Sequence, residues 1–194
     1  MKICSLKGIE ILDSRGNPAL GIIAQSKTHD VFQSVPSGAS TGQKEAWENR
    51  DGDKDRYHGK GLLKAIMAID DIFESIKDKR FENIQELDHY LCELDGTSQK
   101  TTYGANVILA ISIACTELFA LENNMRICRY LNQFTHLTMK IPCPMFNILN
   151  GGVHVGGSGL AIQEFMIVPH GFQTLQEKVR VGSEIYHYLK KILL

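Results

Sequence analysis

Asn150-Gly151-Gly152-Val153-His154-Val155-Gly156-Gly157, followed by Ile162-Gln163-Glu164-Phe165-Met166, is the most telling stretch of the chain. It sets a histidine among glycines, then places an adjacent amide and carboxylate on a strand-like segment. Glycine lets backbone and ligand approach closely and admits positive φ, at an entropic cost that a purely structural loop need not carry. His154 has two readings, a satisfied loop histidine or a group held out for a ligand. Gln163 and Glu164 also have two. Simple alternation on a half-exposed strand accounts for them; alternatively one faces the apolar side, where a carboxylate needs a partner or a metal.

On the N-terminal side, residues 1–36 read as strands. Ile9-Glu10-Ile11-Leu12 stops at the turn formers Asp13-Ser14-Arg15-Gly16-Asn17-Pro18, a turn with a local ion pair and a structural role. Leu20 to Gln25 and Val31 to Val35 flank Ser26-Lys27-Thr28-His29-Asp30, a hairpin connection. The small residues Ser37-Gly38-Ala39-Ser40-Thr41-Gly42 follow. They form either a strand-to-helix connection with Ser40 and Gln43 as a capping box, or a lid whose amides and hydroxyls approach a phosphate or metal-bound substrate. The Gly-Lys-Ser/Thr ending of a P-loop is absent.

Three helices show 3.6-residue periodicity. The first carries Leu62, Ile66, Ile69, Phe73 and Ile76 on one face; the second carries Ile84, Leu87, Leu91 and Leu94 and stops at Asp95-Gly96. The third, through Val107, Ile111, Ala114, Leu118 and Leu121, reads as largely buried. At Asn123-Asn124 the chain turns polar, and a linker-like stretch runs to Pro142 and Pro144, with a domain boundary near residues 130–140. A strand (Met145 to Leu149), the glycine-rich loop and a second strand (Ile162 to Val168) come next. A helix opened by the capping box Thr174-x-x-Glu177 ends the chain, with His187 on its surface.

The 194 residues, 43% hydrophobic and 22% charged, are those of an ordinary soluble protein with a core. A net charge of −1 leaves no basic field for nucleic acid or anionic membrane. No apolar run approaches the ~20 residues of a membrane helix, and the N-terminus lacks the apolar region of a signal peptide. Five widely spaced cysteines without a C-x-x-C pair fit reduced thiols. A cytoplasmic protein with neither nucleic acid nor membrane as partner is expected. No H-E-x-x-H, G-x-S-x-G or complete G-x-G-x-x-G occurs, so residue types alone reach an α/β chain with an anion or metal site.

Taken in order, several segments resemble enolase (phosphopyruvate hydratase). They are Asp13 to Pro18, Val35 to Gly42, Arg50-Asp51-Gly52-Asp53, Gly59-Lys60-Gly61, Leu94-Asp95-Gly96-Thr97 and Gly104-Ala105-Asn106. Pro142-x-Pro144, Asn150-Gly151-Gly152-x-His154 and Gln163-Glu164-Phe165-Met166-Ile167 complete the set. The resemblance covers the whole chain but less than half of the family's usual length. It implies an α+β N-terminal domain, a three-stranded antiparallel sheet plus helices, over residues 1–135. The first elements of an enolase-type β/α barrel, of order ββαα(βα)₆, would occupy 136–194.

The implied chemistry is reversible, Mg²⁺-dependent dehydration of 2-phosphoglycerate to phosphoenolpyruvate in glycolysis. Enzymes of this superfamily remove a proton α to a carboxylate with a Lys or His base while Mg²⁺ stabilises the ene-diolate. Matched residue by residue, Ser40 is a ligand of the second Mg²⁺. His154, Gln163 and Glu164 bind substrate, and Glu164 works alongside the catalytic acid. That acid lies in a Gly-Asp-Glu-Gly-Gly segment expected shortly beyond residue 194, as do the lysine base and the carboxylate ligands of the first Mg²⁺. The family's homodimer is implied too, although Gly21 stands where its pattern has a subunit-pairing glutamate, and Val153 and Val155 are bulkier than some members carry. Two expectations follow: the chain works with a separately made C-terminal half, or it is an inactive fragment persisting as a folded binding or interaction domain.

Overall fold

The computed structural model describes residues 1–38, 42, 44–152 and 159–193; Ser40, Gln43, Val153, His154 and Val155 lie outside the described residues. The chain forms two compact units, Met1–His136 and Leu137–Leu194, each considered by itself.

The first unit opens with an antiparallel meander of β1 (Ser5–Leu12), β2 (Pro18–Gln25) and β3 (Asp30–Ser34). Leu6, Leu20, Ile22, Ala24 and Val31 are buried on its inner face. α1 (Leu63–Ile76) packs across β1, and α3 (Ala105–Glu122) across β2 and β3. α2 (Ile84–Asp95) and α4 (Ile127–Thr135) pack on α3. On the outer sheet face Gly21 lies opposite Ile9 and Ser34, where a Cβ would stand 3.1 Å from the Phe32 ring.

The structure refines two expected helices and corrects one expectation, the linker. The buried stripe of α1 is Ala65, Ala68, Ile69, Ile72 and Ile76, while Ile66 and Phe73 are only half-buried. The stretch expected to be a linker contains α4. Ile127, Tyr130 and Phe134 follow helical spacing, and Tyr130 is buried, stacked on Phe119 at 6.0 Å and edge-on to Phe134 at 5.3 Å. Its hydroxyl also accepts the first amide of α2, Ile84 N–H, at 3.1 Å. Lastly, α3 is long and apolar enough to cross a membrane by length and composition. Here it is the central core helix, with Val107, Ala110, Ile111, Ala114 and Leu118 fully enclosed.

Many of the motif residues join elements. The start of α1 has no cap from its own Leu62. Instead Asp51 accepts the amides of Leu63 (3.1 Å) and Lys64 (2.8 Å), and Glu10 accepts that of Leu62 (2.8 Å). Arg56 donates to both carboxylates. Asn49 and Asn106 are buried and reciprocal: Asn49 N–H donates to Asn106 Oδ1 (2.9 Å) and Asn106 Nδ2 to Asn49 O (3.1 Å). Gly104 beside them has φ 104°, and a Cβ there would stand 2.5 Å from that of Asn49, so only glycine serves. Asp95, closing α2, is buried, which raises its pKa. Bonds donated by Thr97, Tyr103 and Thr102 outweigh burial and hold it below the ordinary value. Asp88 shows the opposite balance: burial lifts its carboxyl more than a hydrogen bond from Ser112 lowers it, and among the described residues Oδ1 has no hydrogen-bond partner.

The second unit holds β4 (Phe146–Asn150), antiparallel to β5 (Glu164–Ile167), and α5 (Leu175–Leu193). The predicted capping box opens α5: Thr174 N–H and Oγ1 donate to Glu177 Oε2 (3.2 and 2.9 Å), and Glu177 N–H returns to Thr174 Oγ1 (3.2 Å). Gly182 lets the Phe146 ring settle on the helix. Among the described residues of this unit no large apolar side chain is buried; Ile162, Phe165, Met166, Val179 and Ile192 are exposed.

Replacing Asp51 by alanine leaves two helix-end amides without their acceptor and Arg56 with Glu10 alone. The expected loss is about 1–2 kcal/mol, read from the urea midpoint; Asp51→Asn, which keeps an acceptor, should lose less. Equal midpoints for wild type and Asp51→Ala would refute the capping role.

Glu122 accepts from the Ser26 and Thr28 hydroxyls and, more weakly, from His29, which hold its pKa down to about 2 from the ordinary 4.5. A depressed acid stabilises the fold above its unfolded pKa, and loses that contribution as pH falls through its folded one. The stability gap between wild type and Glu122→Gln should therefore be constant above pH 5, shrink below about pH 4.5 and close near pH 2. Urea titrations across that range measure it, and a gap independent of pH would contradict the assignment.

Candidate functional site

The β4–β5 hairpin places the polar motif residues of the second unit. A register irregularity between Asn147 and Leu149 brings Asn150 opposite Glu164, with Leu149 opposite Phe165. Both Asn150 and Glu164 are exposed, and Asn147 Nδ2 donates to Asn150 Oδ1 at 2.6 Å. Gln163 precedes β5; its carbonyl accepts the Gly151 amide at 2.7 Å. Gly152 N–H donates to Leu160 O at 2.8 Å. At Gly151 a Cβ would run into the Ile162 carbonyl and the Leu160 side chain, and Gly152 has φ 57°. The two glycines thus let the chain pinch together, one hydrogen bond tying Gly152 to Leu160. His154 itself lies outside the described residues. The hairpin mouth offers a carboxylate (Glu164) and a carboxamide (Asn150) side by side: an acceptor with a group that both donates and accepts.

In the first unit a cleft of about 240 Å³ lies at the root of the Ser37–Gly42 segment, lined by Arg15, Asn17, Ser37, Glu48, Arg50 and Lys60. Arg15 pairs with Asp13 at 3.1 Å, the local ion pair expected from sequence, and also donates to Ser37 O at 3.0 Å. The Asn17 amide first, then Arg15's amide and guanidinium, hold the Asp13 carboxyl below its ordinary range. Arg50 donates to Ser37 Oγ at 2.9 Å and pairs with Glu48 at 2.8 Å. Lys60 Nζ reaches Asn17 Oδ1 at 2.9 Å. Ser40 and its suggested capping partner Gln43 lie outside the described residues, and none of residues 44–56 is helical.

Of the residues singled out in sequence, the structure places Gln163 and Glu164 at the hairpin. It brings Arg15, already read as half of a local ion pair, to Ser37, and adds Glu48, Arg50 and Lys60 there. Arg50 and Lys60 stood in the motifs Arg50-Asp51-Gly52-Asp53 and Gly59-Lys60-Gly61, whereas Glu48 stood in none, and the long-range partners cannot be read from spacing. Among the described residues no group of three His, Cys, Asp or Glu converges as a metal site. Mg²⁺ is held through carboxylates and keeps several waters, so this donor set does not by itself fit a magnesium ion. His187 is exposed on α5.

Residues 3–131 match the family model described as "Enolase, N-terminal domain", and residues 138–194 the one described as "Enolase, C-terminal TIM barrel domain". Among curated proteins the chain is 43% identical to "Enolase 1" of Chlorobaculum tepidum, over 100% of this chain and 45% of that protein. It is 43% identical to "Enolase B" of Dictyostelium discoideum over 100% of this chain and 44% of that one. "Enolase 2" of Pseudomonas syringae pv. tomato is likewise 43% identical, over 99% and 45%. The chain therefore spans less than half the length of the curated relatives it matches.

Gly151→Ala should break the pinch without touching the first unit. Loss of the Gly151 and Gly152 amide bonds should speed hydrogen exchange there about tenfold, with rates in α3 unchanged. Unaltered exchange at positions 151 and 152 would show that the close approach does not matter.

Proposed function

The chain belongs to the enolase family, and from that premise we propose that it takes part in the reversible dehydration of 2-phosphoglycerate to phosphoenolpyruvate. The observation that carries this is the hairpin mouth: Glu164 faces Asn150 in register, both exposed, next to the Gly151-Gly152 pinch. In this reading Glu164 is the catalytic carboxylate, working alongside a separate acid at the departing hydroxyl. His154, Gln163 and Glu164 bind the substrate. Mg²⁺ is the proposed cofactor and Ser40 one of its ligands; the carboxylates it requires come from outside the described residues.

The base, the principal acid and those carboxylates would come from the part of the barrel beyond the matched span. The exposed Ile162, Phe165, Met166, Val179 and Ile192 support an unfilled barrel core that such a partner segment covers. A cytoplasmic location goes with this reading. A homodimer would need contacts other than the family's ion pair, since Gly21 offers no carboxylate. One observation favours a second reading, a non-catalytic binding domain: the first unit encloses a complete core on its own.

The test joins this chain to the remaining residues of the Chlorobaculum tepidum relative and follows phosphoenolpyruvate absorbance at saturating Mg²⁺. The chimera should turn over, the 194-residue chain alone should not, and Glu164→Gln should cost about a hundredfold or more in rate. A folded chimera without turnover, or one indifferent to Glu164→Gln, would favour the binding-domain reading.

A further inference from the structure

We infer that Arg50, assisted by Arg15, is a positioning residue that grips Ser37 by its hydroxyl and its carbonyl and so fixes where the chain sets out towards Ser40. Its functional meaning rests on the enolase reading; its geometry rests on described residues alone.

The sheet stops short of this point. β3 ends at Ser34, and one further bond, Val35 N–H to Leu20 O at 2.9 Å, keeps the chain in register. Pro36 has no amide hydrogen to extend the ladder. Ser37 is nevertheless held twice. Arg50 Nη2 donates to its Oγ at 2.9 Å and Arg15 Nη2 to its carbonyl at 3.0 Å. Both guanidiniums are themselves immobilised. Arg50 Nη1 donates to Pro18 O and Lys60 O, each at 2.7 Å, and its Nη2 also reaches Glu48 at 2.8 Å. Arg15 is tied to Asp13, whose Oδ1 accepts the amides of Arg15 (2.8 Å) and Asn17 (2.9 Å).

A planar fork with four acceptors sets Ser37 in a fixed relation to the start of β2 and the approach to α1, which a lysine's single ammonium cannot do. The bonds to Pro18 and Lys60 would serve stability alone. The bond to Ser37, on the rim of a cleft and beyond the last strand, adds nothing to the core. It anchors the chain within roughly 10 Å of contour from Ser40. Holding in place the chain that carries a ligating group shortens the search for productive geometry.

The variant that isolates this bond is Ser37→Ala, which spares Arg50's other partners. In ¹⁵N relaxation of the full 194-residue chain, the Gly38 order parameter should drop from the rigid range near ~0.85 to below ~0.6, with Ile22 and Ile72 unchanged. Ser37→Thr, which keeps the hydroxyl, should restore it, and Arg50→Lys should reproduce the loss. In the chimera described above, Ser37→Ala should raise the Mg²⁺ concentration for half-maximal rate about tenfold and change kcat less, one charge-assisted bond being lost. An unchanged Gly38 order parameter in Ser37→Ala, or equal loosening at Ile72, overturns the inference. An inactive unsubstituted chimera instead counts against the enolase reading, and the relaxation result still decides the anchoring.

Discussion

The amide hydrogens at the start of α1 are capped by side chains drawn from elsewhere in the chain. Asp51 lies 12 and 13 residues before the amides it accepts, and Glu10 lies 52 residues before its own. An unpaired buried amide or carboxylate is costly, so these groups have to meet. Once they do, the segment from Asn49 to Gly61 has little freedom. Asp51 N–H bonds Gly61 O (2.8 Å), Gly52 N–H bonds Gly59 O (3.0 Å), and Asn49 is locked to Asn106 at the start of α3. Sheet, α1 and α3 thereby converge on one irregular stretch with no strand or α-helix of its own. Arg50 projects from that stretch, and its grip on Ser37 depends on it.

The second unit lacks any comparable closure. Its two strands pair with each other, its helix is well capped, and Gly182 accepts the Phe146 ring. Even so, its apolar side chains remain in contact with water among the described residues. Local signals are satisfied while the hydrophobic area that would hold them together is not enclosed. Local propensity and capping shape an element; burial against other elements supplies most of its stability.

The helical periods of α1, α2 and α3 were legible because long amphipathic or apolar repeats need only their own residues to be seen. So was the α5 capping box, a contact across three residues. α4 was missed because its nine residues interleave Arg129, Asn132 and Gln133 with Ile127, Tyr130, Leu131 and Phe134 over little more than two turns, and its identity comes from Tyr130 packing on Phe119 in another helix. The motif residues were recognisable as a set, but their individual work was not. Asp51, Asn49, Asp95 and Gly104 each have at least one partner between 7 and 57 residues away. Of the site residues, Gln163 and Glu164 could be followed into the hairpin, whereas Ser40 and His154 stand outside what is described.

The pinch at Gly151 also bears on the chemical lifetime of the chain. An Asn-Gly peptide readily cyclises to a succinimide, because the glycine nitrogen can attack the asparagine carboxamide without hindrance from a side chain. At Asn150-Gly151 that nitrogen is committed to Gln163 O at 2.7 Å, and the Asn150 carboxamide oxygen is held by Asn147 at 2.6 Å. Deamidation there requires the hairpin to open first, so isoaspartate at position 150 becomes a slow chemical record of how often the hairpin opens.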